Sequence, residues 1–212
     1  MCIAIKMENV NKSFAQTVVL SNINIEFEKG KVHGLIGRNG SGKTMLMKCI
    51  CSFVPISLGQ IIIDGQVLKK DFDIPKNIGV IIETPGFLPA YNAYKNLKFL
   101  ADIQGKISKQ EIYDAIDKVG LDSKSKKHVG KYSLGMRQRL GLAQAIMENP
   151  DILILNEPMN GLDKNGVTDM RSYLLDLKLK GKTILIASHS AEDIDVLCDT
   201  VHEMDKGVLS TI

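Results

Sequence analysis

The chain has 212 residues, of which 44% are hydrophobic and 24% charged, with a formal net charge of +3. This composition is typical of one globular unit with a sizeable core, or of one domain with an inserted subdomain; it argues against intrinsic disorder and against two independent domains. The charge is too small to indicate nucleic acid as a partner. No apolar run approaches the roughly 18 residues that a membrane-spanning helix needs, and Lys6 and Glu8 stand where a signal peptide would be apolar. We therefore expect a cytoplasmic protein.

The first part of the chain is predicted to be rich in strands. Alternating or continuous apolar residues predict strands at 3–7, 22–27, 32–36, 59–65 and 78–82. The first two strands would be joined through residues 11–20. A helix is predicted from Thr44 to about Cys51, and the turn formers of residues 83–86 would end the fifth strand.

Between residues 92 and 147 the apolar residues recur at helical spacing, and this pattern is interrupted at Gly105, Gly120 and Gly130. Beyond this stretch, strands are predicted at 152–155 and 183–187, helices at 170–180 and 193–197, and a closing hairpin at 206–207. Strands alternating with helices predict a mostly parallel sheet covered on both faces. We therefore expect a single domain, 1–212, whose core comprises residues 1–86 and 148–212 and whose helical subdomain comprises residues 87–147.

The predicted strand at 32–36 runs directly into the pattern G-x-x-x-x-G-K-T. Its members are Gly37, Arg38, Asn39, Gly40, Ser41, Gly42, Lys43 and Thr44. Glycines let the backbone N–H groups turn onto an anion, and the following helix presents its positive N-terminal end to the same place. Lys43 would reach the β- and γ-phosphates, and the Thr44 hydroxyl would bind the accompanying magnesium. The pattern predicts a site for a nucleoside triphosphate with Mg²⁺.

A second apolar strand, residues 152–155, delivers polar side chains at its carboxyl end. Asn156 and Glu157 follow it directly, and ligands lie at the carboxyl ends of strands in open α/β sheets. A carboxylate at Glu157 could polarise a water for attack on the γ-phosphate, because hydrolysis needs an oriented nucleophile. Alone, Glu157 would be an ordinary exposed glutamate; beside the phosphate loop it is a candidate catalytic base.

The order of the motifs resembles the ATP-binding subunits of ATP-binding-cassette (ABC) transporters over almost the whole chain. Residues 132–138, with Ser133 and Gly135, are similar to the family's signature motif, and residues 160–163 resemble its D-loop. His189 is similar to the switch histidine, and Phe14 falls where the family places an aromatic ring against adenine. The resemblance implies an α/β P-loop NTPase (RecA-like) core with an antiparallel β subdomain and an inserted helical subdomain.

The resemblance also assigns roles to these residues. Ser133 and Gly135 would contact ATP held by the opposite subunit, so that two chains form a homodimer closed head to tail around two nucleotides. A plain helix cap is the alternative for Ser133. His189 would contact the γ-phosphate and complete the catalytic pair with Glu157, and Asp163 of the D-loop would belong to the nucleotide site.

Two positions depart from the family's common pattern. Asn156 stands where most relatives carry an aspartate near the magnesium, and Glu83 stands where most carry a glutamine. Because the two changes cancel in formal charge, we hypothesise that Glu83 partly replaces the missing charge, with Thr44, Glu83 and Asn156 around the metal. Glu83 and the signature of residues 132–136 together resemble the bacitracin-resistance and lantibiotic-immunity exporters.

The sequence thus predicts an ATP-hydrolysing subunit that drives a separate membrane permease from the inner face of the cell membrane. Residues 83–91 and the nearby helices would contact the permease, and the cargo is expected to be an antimicrobial peptide or a drug. The alternative is an ATP-binding regulatory module with little hydrolysis, because Asn156 weakens the metal site. A soluble relative in translation or DNA repair is disfavoured, since those proteins usually fuse two cassettes or carry long coiled coils.

Overall fold

The computed structural model describes residues 2–83 and 86–212, so the turn formers Thr84 and Pro85 lie outside the described residues. Within these ranges the strands are β1 (Ile3–Phe14), β2 (Thr17–Glu28), β3 (Val32–Ile36), β4 (Leu58–Ile63), β5 (Gln66–Val67), β6 (Ile78–Ile81), β7 (Ile152–Asn156), β8 (Thr183–Ala187), β9 (Thr200–Asp205) and β10 (Val208–Thr211). The α-helices are α1 (Lys43–Ile50), α2 (Ala93–Gln104), α3 (Lys109–Lys118), α4 (Leu134–Ile146), α5 (Lys164–Leu179) and α6 (Ala191–Leu197).

The larger sheet of the described chain has the strand order β10-β9-β3-β8-β7-β6. Its strands run parallel except for β10, which pairs antiparallel with β9. The phosphate-loop strand β3 therefore lies between β8 and β9. Strands β3, β7 and β8 are buried almost throughout, as continuous apolar runs in a parallel sheet should be.

The smaller sheet is antiparallel, with the order β2-β1-β4-β5. It corrects the prediction of two short strands at 3–7 and 22–27: most of the expected connection is itself strand, and the hairpin turns at Ala15 and Gln16. The β1–β2 pairing shifts register at several points between Met7 and Ser13. Such irregularities break the alternation of apolar residues on which the prediction depended.

Helices α2, α3 and α4 occupy the stretch that the sequence predicts as helical. Gly105 ends α2 in the left-handed conformation, and Ser108 opens α3 with a capping box that includes Glu111. Gly130 lies in a short 3-10 turn before α4. Helix α5 begins at Lys164, earlier than the predicted 170–180, because Asp163 caps it there.

Apolar residues cover both faces of the larger sheet. Ile152 and Ile154 of β7 face a cluster that includes α1 and the smaller sheet, whereas Leu153 and Leu155 face a cluster built with α2 to α5. The described helices include none that is long and apolar enough to cross a bilayer.

Candidate phosphate and catalytic site

The phosphate loop leaves β3 and enters α1 through two backbone conformations that favour glycine. Gly37 has a φ of 142°, and a Cβ there would lie 2.2 Å from the Met204 carbonyl oxygen. Gly42 has a φ of 119° and is the N-cap of α1. On its far side the loop is braced, since the Gly207 N–H donates to the Ser41 carbonyl oxygen at 2.8 Å. The first N–H groups of α1 have no partner within the helix, so they can receive an anion.

Lys43 folds back over this loop. Its ammonium donates to the carbonyl oxygen of Gly37, and to that of Arg38 at 3.0 Å. Burial lowers the pKa of the Lys43 ammonium below its usual value, and the nearby Glu157 carboxylate opposes that shift. A phosphate group would give the ammonium a charged partner in place of two neutral carbonyls.

A cleft of about 280 Å³ opens over the loop. It is lined by Val19, Arg38, Asn39, Gly40, Ser41, Gly42, Lys43, Thr44, Met45, Asn156, Glu157 and His189. Ser41 Oγ and Glu157 Oε1 are buried here, and neither has a hydrogen-bond partner among residues 2–83 and 86–212. Buried polar atoms of this kind call for a ligand or water, and a hydroxyl donor beside a lysine suits a phosphate.

Glu157 is held in a strained conformation at the end of β7. Its φ of 52° is unusual for a residue other than glycine. Its backbone N–H donates to the Ala187 carbonyl oxygen at 2.9 Å, and its own carbonyl oxygen accepts from Gln138 Nε2 at 3.2 Å. These bonds fix the backbone that aims the carboxylate into the cleft.

His189 follows β8 and reaches the same cleft. Its Nε2 lies 2.9 Å from Asn39 Oδ1 of the phosphate loop and 3.5 Å from Glu157 Oε1. The carboxyl ends of β3, β7 and β8 thus bring together the phosphate loop, the candidate base and the candidate switch histidine.

Of the three predicted metal-binding residues, Thr44 and Asn156 lie close together, whereas the Glu83 side chain is paired elsewhere. Asn156 Nδ2 donates to the Ile82 carbonyl oxygen at 2.9 Å and lies 3.4 Å from Thr44 Oγ1. The Glu83 carboxylate instead forms an ion pair with Lys48 of α1. Hydroxyl, amide and carboxylate oxygens are all ligands that Mg²⁺ accepts, so the residue types fit. To join the site, the Asn156 amide would have to turn its oxygen toward Thr44, and Glu83 would have to leave Lys48.

The signature segment lies at the start of α4. Ser133 is the N-cap, its Oγ accepting the Met136 N–H at 3.2 Å, and its side chain is exposed. Gly135 packs against the D-loop, where a Cβ would lie 2.7 Å from the Gly161 carbonyl oxygen. The absence of a side chain at Gly135 is therefore already required for the contact between these two segments of one chain.

Phe14 and Asp163 are not among the residues that line the cleft. Phe14 ends β1 with 48% of its surface exposed, and the Lys12 ammonium lies 4.4 Å from its ring centroid. Asp163 caps α5, its carboxylate accepting the Gly166 N–H at 2.8 Å. Adenine stacking for Phe14 and a nucleotide contact for Asp163 stay predictions.

Sequence reasoning missed two supporting residues. Gln138 holds the Glu157 backbone from α4, a contact between segments 19 residues apart that no local pattern reveals. Lys48 pairs with Glu83 from one turn beyond Thr44 on α1. A helical projection could have placed Lys48 on the same side as Thr44, because residues i and i+4 share a face.

Comparison with known proteins gives one family. Residues 20–160 match a family profile described as ABC transporter. An uncharacterised ABC transporter ATP-binding protein of Bacillus subtilis, YybJ, is 47% identical over 98% of this chain and 95% of its own length. The bacitracin transport ATP-binding protein BcrA of Enterococcus faecalis is 41% identical over 97% of this chain and 67% of its own length.

A solved structure supports the same fold. The dimeric post-hydrolysis state of the ATP-binding cassette MJ0796, bound to ADP and Pi, matches with a TM-score of 0.88 at 19% identity, and 98% of each chain is covered. The predicted fold class is confirmed.

Proposed function

Since the chain belongs to the ABC transporter ATP-binding family, we propose that it hydrolyses ATP to drive a separate membrane permease. Domains of this family bind ATP and are ATPases coupled to transport. The observation that carries the proposal is the meeting of Lys43, Glu157 and His189 at one cleft, where Glu157 Oε1 is buried without a hydrogen-bond partner in the described chain.

Each of the three residues has a distinct task. Lys43 neutralises charge on the β- and γ-phosphates as a point charge. Glu157 accepts a hydrogen bond from the attacking water and aligns it with the γ-phosphate, because phosphoryl transfer depends on positioning and electrostatics. His189 lies 3.5 Å from that carboxylate and contacts the γ-phosphate. Through this contact, the loop that carries His189 responds to the presence of the γ-phosphate.

Magnesium would be held by the Thr44 hydroxyl, with Asn156 and Glu83 supplying further oxygens. The ion would neutralise phosphate charge that Lys43 alone cannot balance. Asn156 lies next to Thr44, although it is Nδ2 that is 3.4 Å from Thr44 Oγ1, so the amide would turn to present its oxygen. The carboxylate of Glu83 would exchange Lys48 for the metal.

A second copy of the chain completes the site. The exposed Ser133 and the bare backbone at Gly135 suit a phosphate presented from outside, because they open helix α4. We place the dimer on the inner face of the cell membrane, with residues 83–91 and the helical subdomain of residues 87–147 against the permease.

The cargo is proposed to be an antimicrobial peptide or drug that is exported. The 41% identity to a bacitracin transport ATP-binding protein supports this class. Selectivity would lie in the permease, so BcrA is a guide to the cargo's chemistry and not to its identity.

Phosphate release by the purified chain tests the proposal. Turnover should rise more than linearly with protein concentration, because two copies form each site, and it should vanish in Lys43→Ala. Lys31→Ala is the matched control, since Lys31 precedes β3 and pairs with Glu28 at the surface.

Two results would overturn the enzyme assignment. One is wild-type turnover retained by Lys43→Ala. The other is tight ATP binding without phosphate release, the behaviour of the regulatory module, which the family assignment does not favour.

A further inference from the structure

The loop that carries His189 is tied to a buried carboxylate. Asp193, in the first turn of α6, has only 4% of its side chain exposed. Its Oδ2 accepts from the Ser188 hydroxyl at 2.8 Å. Its Oδ1 accepts from the Arg171 guanidinium of α5, from Nε at 2.8 Å and from Nη2 at 2.5 Å. One carboxylate thus joins α5 to the residue immediately before His189.

The residue after His189 belongs to the same network. The Ser190 N–H donates to Ser188 Oγ at 3.1 Å, and Ser190 Oγ accepts the Asp193 N–H at 3.3 Å as the N-cap of α6. The backbone on both sides of His189 is therefore held by bonds that converge on Asp193. The imidazole itself is half exposed, with 50% of its surface accessible, so its position depends on the fixed loop backbone and on the contact of Nε2 with Asn39.

Arg171 brings a second helix into this arrangement. Its Nη1 also donates to Glu192 Oε1 at 2.8 Å, and only 14% of its side chain is exposed. A planar guanidinium with three such bonds fixes direction as well as distance. Helix α5 starts directly after residues 160–163, and Gly161 of that segment touches Gly135 of α4. Movement at the start of α5 would be carried along a rigid helix to Arg171.

We propose that Arg171 and Asp193 form a positioning clamp that sets the place of His189 relative to Glu157 and couples it to α5. The inference rests on the proposed function of His189 at the γ-phosphate. If the bridge between α5 and α6 were merely structural, packing would be enough, since a pair of apolar residues often stabilises a helix contact as much as a buried ion pair does. A carboxylate is required here because its second oxygen accepts from Ser188.

The chain supplies a matched control. Lys178 of α5 forms an ion pair with Asp199 at 2.6 Å, and this pair joins α5 to a residue 21 positions further along, against 22 for Arg171 and Asp193. Asp199 lies beyond α6, and in the described chain neither Lys178 nor Asp199 makes a hydrogen bond to residues 188–190. Removing this pair perturbs the same helix without touching the His189 loop.

The kinetic experiment compares Arg171→Met with Lys178→Met. In Arg171→Met we expect kcat to fall about tenfold to a hundredfold, the usual effect of a small displacement of a reacting group. The dissociation constant for ADP, which has no γ-phosphate for His189 to contact, should stay within about twofold, because neither Arg171 nor Asp193 bonds to the phosphate loop in the described chain. Arg171→Lys should recover part of kcat, and Lys178→Met should match the wild type. Equal kcat in Arg171→Met and Lys178→Met would overturn the clamp.

A readout independent of turnover separates this inference from the proposed function. Amide hydrogen exchange at residues 188–190 should be faster in Arg171→Met than in Lys178→Met, since local opening governs exchange. If exchange at residues 188–190 is the same in Arg171→Met and Lys178→Met, the clamp is overturned, even in an active enzyme. If the wild-type chain has no turnover, the proposed function is overturned, and the exchange comparison still decides for or against the clamp. If Arg171→Met does not fold, Ser188→Ala takes its place, because it removes only the hydroxyl between Asp193 and Ser190. Wild-type kcat together with wild-type exchange in Ser188→Ala would overturn the clamp.

Discussion

The Asn156 amide donates to the Ile82 carbonyl oxygen, and this direction of bonding determines what an aspartate would do there. A carboxylate cannot donate, so Asn156→Asp would face a carbonyl oxygen with a negative charge. Without nucleotide we expect the variant to lose about 1–3 kcal/mol of unfolding free energy, the cost of an unsatisfied buried group. Urea denaturation with and without Mg-ATP measures this loss and its expected recovery on binding. A variant as stable as the wild type in the absence of nucleotide would contradict the assigned contact.

Charge at the metal can be tested through Glu83. If Glu83 supplies part of the charge that Asn156 lacks, Glu83→Gln and Asn156→Asp should change the magnesium requirement of ATP hydrolysis by coupled amounts, about 0.5 kcal/mol or more from additivity. Lys48→Met is the matched third variant, because it frees the Glu83 carboxylate and should lower the magnesium requirement. Additive effects of Glu83→Gln and Asn156→Asp would contradict the hypothesis that Glu83 supplies charge at the metal.

At the scale of elements, helix α5 depends on its cap. The Asp163 carboxylate accepts the Gly166 N–H, so Asp163→Ala should lower the unfolding free energy by about 1 kcal/mol. Asp163→Asn keeps an acceptor oxygen and should retain that stability. Thermal denaturation compares the two. If Asp163→Asn keeps stability but loses turnover, Asp163 also serves the nucleotide site, as the D-loop resemblance implies.

The contact between β6 and α4 leaves no room for a methyl group. A Cβ at Gly79 would lie 2.0 Å from the Ala145 carbonyl oxygen, so Gly79→Ala must push the edge strand away from the helix. We expect a loss of about 3 kcal/mol, at the upper end of overpacking effects. Gly86→Ala is the control, because a Cβ there has no atom of the described residues within 4 Å. Equal denaturation midpoints for the two variants would contradict the packing.

At the scale of the whole molecule, two buried histidines join β3 to β9. His33 Nδ1 lies 2.7 Å from Thr200 Oγ1, which lies 3.1 Å from His202 Nε2. Burial, with a smaller contribution from His33, lowers the pKa of His202 from 6.5 to about 4. The folded chain therefore disfavours protonated His202, and stability that is complete above pH 6.5 falls as the pH drops toward 4.

This shift corresponds to about 3 kcal/mol between pH 6.5 and pH 4, at 1.36 kcal/mol per pKa unit. We expect His202→Gln to be less stable than the wild type at pH 7 but to lose less stability on acidification. His128→Gln, at an exposed position, controls for removing a histidine. Denaturant midpoints from pH 7 to pH 5 decide it, and parallel curves for the wild type and His202→Gln would contradict the assignment.

The sequence predicted those parts of the site that depend on short stretches of consecutive residues. Each cluster, at Gly37, Asn156 and His189, directly follows an apolar strand, and parallel strands end at one edge of the sheet. Contacts between distant segments could not be predicted, such as Gly135 against Gly161 or Gln138 with Glu157, because no periodicity encodes them. The long β1–β2 hairpin escaped prediction because its register irregularities hide the alternation.

The position of β3 between β8 and β9 has a consequence for synthesis of the chain. Residues 37–44 leave the ribosome early, yet both neighbours of their strand, and the Gly207 N–H that braces Ser41, come from residues 183–207. At about 5–20 residues per second the wait is on the order of ten seconds. During that interval the phosphate loop lacks both neighbouring strands and its brace, so nucleotide has no finished site to bind and cannot stabilise β3.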